Sequence, residues 1–322
     1  MRKIVTFVMS MMLAIGLFAA KPLKVGIVLS TGGLGDKSFN DAAYRGLEKA
    51  EKELGIKFKY VEPASPAEDE EFLREYAEAG YDLIIATGFQ MTQSAKTVAA
   101  DYPEIKFVMI DDVVDLPNVK SLTFKEEEGS FLVGAVAGLM TKNNAVGFVG
   151  GMENPLIKKF EVGFEQGAKY VNPDVKFYSV YTTGPNPFND PVRGKENAVS
   201  EINQGADVIY HAAGGTGMGV IAAAKEKGVY AIGVDSNQDG VEPGTVLTSM
   251  LKNVDVAVFD TIESLTKNNE FKSGVAVYGV KENGVGTTEF EFTKDIIGAD
   301  NIAKIQEIKE KITSGEIVVK DK

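Results

Sequence analysis

Residues 32–46, GGLGDKSFNDAAYRG, run from glycines into a helix that Asp36 or Ser38 can cap, with Phe39 and Asn40 in its first turn. An aromatic face there can stack on a planar base while an asparagine amide, donor and acceptor at once, reads the edge of that base. The same pair would also serve as a local staple and a solvated polar group. Further on, HAAGGTGMGVIAAAKEKG (211–228) contains Gly217-Met218-Gly219-Val220-Ile221-Ala222, which fits G-x-G-x-x-A, and Asp235 follows at the next strand end. That pattern suits a dinucleotide, and it equally suits glycines that let a helix pack tightly on a strand. Asp235 could accept two hydrogen bonds from a vicinal diol. Lys252 could donate to a sugar hydroxyl or pair with Asp235 in a structural ion pair. Of Asp111 and Asp112, one is expected to face a cleft and the other to cap a turn. Glu126-Glu127-Glu128 reads as the acidic first turn of a helix, where it complements the dipole.

Other chemistries are excluded by composition. The 322 residues include no cysteine and a single histidine, His211. Disulfides, thiol nucleophiles, cysteine-based metal centres, His-paired metal sites and Ser-His-Asp triads therefore drop out. With a formal net charge of −12 and no basic run, the chain is a poor partner for nucleic acid. Apolar residues at 44% and charged residues at 25% are those of a globular protein with room for two domains.

The elements that must hold these residues alternate regularly. KVGIVLS (24–30), DLIIATG (82–88), KFVMIDD (106–112) and VKSLTFK (119–125) are apolar, strand-like runs separated by amphipathic helical stretches. The pattern restarts with a helix over 126–140, then AVGFVGG (145–151), VKFYSVYTT (175–183), DVIYHAA (207–213), VYAIGVD (229–235) and VLTSMLK (246–252). VAVYGV (275–280) and the alternating TEFEFTK (288–294) are expected as late strands. Two successive βα sets imply an α/β chain of two doubly wound parallel sheets covered on both faces. In such sheets ligands sit beyond the carboxyl ends of the strands. Those ends carry Ser30, Gly88-Phe89-Gln90, Asp111, Gly150-Gly151, Tyr210 to Gly215 and Asp235, with no arginine or lysine. The composition suits a neutral, flat, hydroxylated ligand.

Residues 1–20, MRKIVTFVMSMMLAIGLFAA, follow the charged, apolar, small-residue order of a secretory signal peptide. An exported, periplasmic or extracytoplasmic, soluble protein is expected, with no cysteine to carry a lipid anchor.

Taken together, GDKSFNDAA (35–43), FVMIDDVV (107–114), EGSFLVGAVAGLM (128–140), VGFVGGM (146–152), NDPVRGKENA (189–198), DVIYHAAGGTGMGV (207–220), IGVDSNQDG (232–240) and VLTSMLKNVDVAV (246–258) resemble the basic membrane protein family. The branch most similar to it comprises purine nucleoside receptors, the substrate-binding components of ABC-type importers. The resemblance implies a type I periplasmic-binding-protein fold. Its N-terminal lobe would span 21–125 plus about 253–281, and its C-terminal lobe 126–252 plus about 282–322. It also implies a monomer that binds a purine nucleoside (adenosine, guanosine or inosine type) and partners an ABC-type permease, with no cofactor, metal or catalytic group. Phe39 and Tyr210 would sandwich the base, and Asn40 and Asp111 would bond its edge. Asp235 and Lys252 would hold the ribose, with backbone groups near Gly214 and Gly215. Ser30 stands where the family usually has aspartate, and Met218 where asparagine is common. A sugar or autoinducer-binding protein of the same fold and an NAD-dependent dehydrogenase are the alternatives.

Overall fold

The computed structural model describes residues 21–322; the expected signal peptide, residues 1–20, lies outside the described residues. The first half builds β1 (Lys24–Val28), α1 (Phe39–Leu54), β2 (Lys57–Val61), α2 (Asp69–Glu78), β3 (Leu83–Thr87), α3 (Thr92–Asp101), β4 (Lys106–Ile110) and β5 (Val119–Phe124). The second half repeats the plan with α4 (Glu126–Met140), β6 (Ala145–Gly150), α5 (Pro155–Val171), β7 (Lys176–Tyr181), α6 (Pro191–Asn203), β8 (Val208–Ala212), α7 (Gly217–Lys227), β9 (Tyr230–Asp235) and β10 (Val246–Lys252). Then follow α8 (Val254–Asn268), β11 (Gly274–Tyr278), β12 (Val285–Thr287), α9 (Lys294–Ile297) and α10 (Ala299–Ser314).

Two six-stranded sheets result, in the orders β11-β5-β4-β3-β1-β2 and β12-β10-β9-β8-β6-β7. All pairs are parallel except β10 with β12. Both sheets therefore reverse strand order beside their first strand, the switch point where doubly wound folds open a crevice. Central strands such as β3 and β8 are buried at every position, as helices on both faces require.

The chain passes between sheets three times, after Phe124, after Lys252 and after Tyr278. These crossings are hydrogen-bonded to one another: Lys125 N–H donates to Tyr278 O at 3.0 Å, and Asn253 N–H to Gly284 O at 2.8 Å. These bonds tie the three crossings into a single hinge between the lobes. Close helix packing stiffens the second lobe beside it. A methyl group at Gly163 or Gly167 of α5 would collide with the backbone carbonyl of Glu127 or Phe131 on α4.

One expected element is corrected. TEFEFTK alternates like a strand, yet the pairing with β10 is made by Val285–Thr287. The chain turns away at Phe290, whose φ of 58° is left-handed and whose ring is buried while Phe292 is exposed. Among the described residues no helix is long and apolar enough to cross a membrane, and no cluster of three or more His, Asp or Glu could hold a metal ion.

Candidate functional site

The strand ends of the two sheets face each other across a cleft. From the first lobe it is lined by Ser30, Phe39, Asn40, Phe89, Gln90 and Asp111. From the second it is lined by Ile157, Phe160, Phe188, Gly214, Asp235 and Lys252.

Four phenylalanines dominate the apolar part. Phe39, opening α1, and Phe160 of α5 flank the Lys252 ammonium from opposite lobes, with ring centroids 5.1 and 5.6 Å from Nζ. Across the same cleft Phe89 meets Phe188 edge to face, at 6.4 Å and 70°. Tyr210 is not among these walls, which corrects the expected sandwich. Its ring is wholly buried between Phe148 and Phe164, at 5.6 and 5.0 Å, and its hydroxyl lies 3.2 Å from Ser130 Oγ. The reason is position along β8. Tyr210 lies two residues before the strand end, so its side chain stays on the sheet face, and Ala212, Ala213 and Gly214 reach the cleft instead. Gly215 also stands off the cleft lining, at a contact between lobes, where a methyl group would approach Asn189 Oδ1 to 3.3 Å and Asp36 Cα to 3.9 Å.

The polar end of the first lobe is tightly organised. Ser30 N–H and Oγ–H both donate to Asn40 Oδ1 at 3.0 Å, and Asn40 Nδ2 donates to Asp36 Oδ2 at 3.1 Å. Asn40 therefore offers the cleft its remaining N–H, as a donor only. Asp36 accepts from the backbone N–H groups of Ser38, Asn40 and Asp41, capping α1 from two residues before the N-cap position. Burial pushes its carboxyl up to about 6 against these bonds.

Lys252 does not pair closely with Asp235. Its Nζ lies 2.6 Å from Asp111 Oδ1 and 3.0 Å from Glu126 Oε1, while Lys159 Nζ holds the other oxygen of Glu126 at 3.2 Å. Glu126 is thus more than a dipole-complementing surface acid: it is fully buried between two lysines at the hinge. Burial alone would drive the proton from Lys252, but the carboxylates of Asp111, Glu126 and Asp235 outweigh it and raise the pKa. The ammonium's charge is consequently balanced inside the protein, leaving no free cation among the described residues of the cleft lining to attract an anionic ligand.

Asp111 directly follows β4 and Asp235 ends β9, and the two share an unusual backbone, with φ of 75° and 61°. Left-handed non-glycine residues cost energy and gather at ligand clamps. Asp235 accepts a short hydrogen bond from Ser38 Oγ across the cleft, and burial raises its pKa. Asp112 turns outward to accept from Thr92 Oγ1 at 2.6 Å.

The G-x-G-x-x-A segment has a packing role. A side chain at Gly217 would run into the His211 ring, and one at Gly219 into the Pro191 carbonyl. His211 is itself fully buried against Gln238, away from the cleft lining. Sequence reasoning overlooked Glu126 and Phe160, which look like ordinary first-turn acid and helix core, and Phe188 in a proline-rich loop. Phe89 and Gln90 were visible as strand-end positions without an assigned role.

Two doubly wound lobes joined by a three-stranded hinge, with an aromatic and acidic cleft at the switch points, define a bilobal ligand-binding protein. Residues 23–322 match the family of PnrA-like ABC transporter substrate-binding proteins, and the chain belongs to it. A CD4+ T-cell-stimulating antigen of Listeria innocua is 38% identical over 327 residues, covering 94% of this chain and 90% of that protein. Basic membrane protein A2 of Borrelia garinii is 35% identical over 311 residues, covering 92% and 88%. The solved ABC transporter solute-binding protein of Aeropyrum pernix K1 superposes with a TM-score of 0.86 at 32% identity, covering 92% and 93%.

Proposed function

We propose that this chain is an exported protein that binds a neutral purine nucleoside between its lobes and hands it to the permease of an ABC-type importer, without catalysing a reaction. The observation that carries this reading is a cleft with facing phenylalanines, two strand-end carboxylates and no uncompensated cation. Phe39 and Phe160, on opposite lobes beside Lys252, suit a planar base, and Phe89 and Phe188 add apolar lining. Base–aromatic stacking contributes about 1–3 kcal/mol per base. Asn40, with its oxygen already taken by Ser30, would donate to an acceptor on the base edge. Asp235 would exchange its bond from Ser38 for two from a ribose diol, and Lys252 would add a donor from within its carboxylate cage. A deoxy ligand would leave those buried oxygens unpaired, so ribose is favoured over deoxyribose.

A thermal-shift panel of nucleosides, nucleotides, sugars and amino acids tests this, since a ligand raises the melting temperature by mass action. Adenosine, guanosine or inosine should raise it at micromolar concentration while their 5′-phosphates do so weakly. A shift given by a free sugar alone would assign the cleft to the sugar-binding alternative.

A further inference from the structure

Gln238 lies fully buried in the loop after β9, and its neighbours fix which way its amide faces. Val234 N–H, which can only donate, points at Oε1 at 3.0 Å, so that atom is the carbonyl oxygen. Nε2 is thereby turned to the first lobe, where it donates to the Lys37 carbonyl at 3.0 Å. His211 Nε2 also lies 3.0 Å from Oε1, which places the imidazole proton on that nitrogen. Burial keeps this ring neutral, lowering its pKa to about 4. The acceptor is equally prepared: Lys37 stands at φ 51°, with its N–H on Asp41 Oδ2 at 3.0 Å. Gly233 makes the room, since a methyl group there would come within 2.7 Å of Gln238 Oε1.

We infer that Gln238 is a positioning residue that latches the two lobes together through protein atoms alone, so that the chain keeps a closed population before any ligand arrives. Ser236 and Arg45 complete the seam: Ser236 Oγ donates to Ser38 O at 3.0 Å, and Arg45 Nη2 donates to Ser236 Oγ at 3.0 Å. None of these bonds uses a cleft atom that a base would need. The inference goes beyond the nucleoside reading and holds whatever occupies the cleft. It also bears on affinity, because apparent affinity scales with the fraction of chain already in the competent form.

The absence of cysteine allows spin labels at Lys96→Cys on α3 and Ser200→Cys on α6, both exposed, and inter-label distances in the ligand-free protein report the lobe separation. Gln238→Glu sets an oxygen against the Lys37 carbonyl; ionised it cannot donate, and protonated it can. The titratable groups around the seam are His211, Asp235, Asp239, Asp36, Asp41, Lys37, and Arg45 with its partner Asp255. All are present in both Gln238 variants, so the readout is the difference from the unsubstituted chain at each pH. Followed from about pH 5 to about pH 10, Gln238→Glu should give the unsubstituted distances at the acid end and longer ones at the alkaline end, as the buried carboxyl loses its proton. Gln238→Met should stay long at both. Unchanged distances in both Gln238 variants, or no recovery of Gln238→Glu on acidification, would overturn the latch. Because the labels are read without ligand, a failure of nucleosides to bind leaves this result standing on its own.

Discussion

At the scale of single residues, location relative to a strand end decides what a side chain can do. Asp111 and Asp235 were legible as cleft residues because they stand at the carboxyl ends of apolar runs, and Phe39 and Asn40 because they open the helix that follows the first such run. Tyr210 misled because two residues of strand separate it from the cleft, and a two-residue offset leaves a side chain on the sheet face. Glu126 was illegible for a different reason: a buried acid between Lys159 and Lys252 has the same sequence signature as a solvated first-turn glutamate. Two mutations separate these roles. Asp235→Ala should weaken nucleoside binding by about 2 kcal/mol or more, about thirtyfold, by titration calorimetry. The melting temperature of that variant should move little, because alanine also removes a buried carboxylate. Lys252→Met should do the reverse in emphasis. It leaves Asp111 buried without its cation and Glu126 with Lys159 alone, a loss of about 3–5 kcal/mol visible in chemical denaturation without any ligand.

At the scale of elements, the helices and parallel strands were readable from period and length, and the helix 126–140 was placed at its observed limits. The short antiparallel edge was not, since three residues of β12 carry too little pattern and the neighbouring TEFEFTK alternates more convincingly. Close helix approach was equally hidden, because glycine spacing does not say what the opposing surface is. Gly167→Ala should be strongly destabilising, as its methyl group would overlap the Phe131 carbonyl, whereas Gly286→Ala, with open space around it, should be close to neutral by thermal unfolding. Glu201 on α6 tests the cost of burying an acid. Burial raises its pKa from 4.5 to about 9, so the folded chain holds a proton there that the unfolded chain has released. Stability from this site therefore falls as pH rises between those two values. Glu201→Gln should be more stable than the unsubstituted chain at about pH 8, with the gap closing toward about pH 5, by calorimetry at both.

At the scale of the whole molecule, function follows from two lobes that each supply half a site. The first brings Phe39, Asn40 and Asp111; the second brings Phe160, Asp235 and Lys252; and neither half encloses a ligand alone. Sequence alternation made the duplication legible, but which faces meet depends on the three hinge crossings, whose mutual hydrogen bonds link residues far apart in the chain. A chain of net charge −12 whose cleft lysine is already balanced by carboxylates should reject anions and favour neutral, hydroxylated ligands. The most direct test is titration calorimetry of residues 21–322 with inosine, guanosine and adenosine, set beside free ribose and free hypoxanthine. Saturable one-to-one binding of at least one nucleoside, tighter than either fragment by a hundredfold or more, is the expected result. Saturation by ribose with no added heat from any nucleoside would contradict a base held between Phe39 and Phe160.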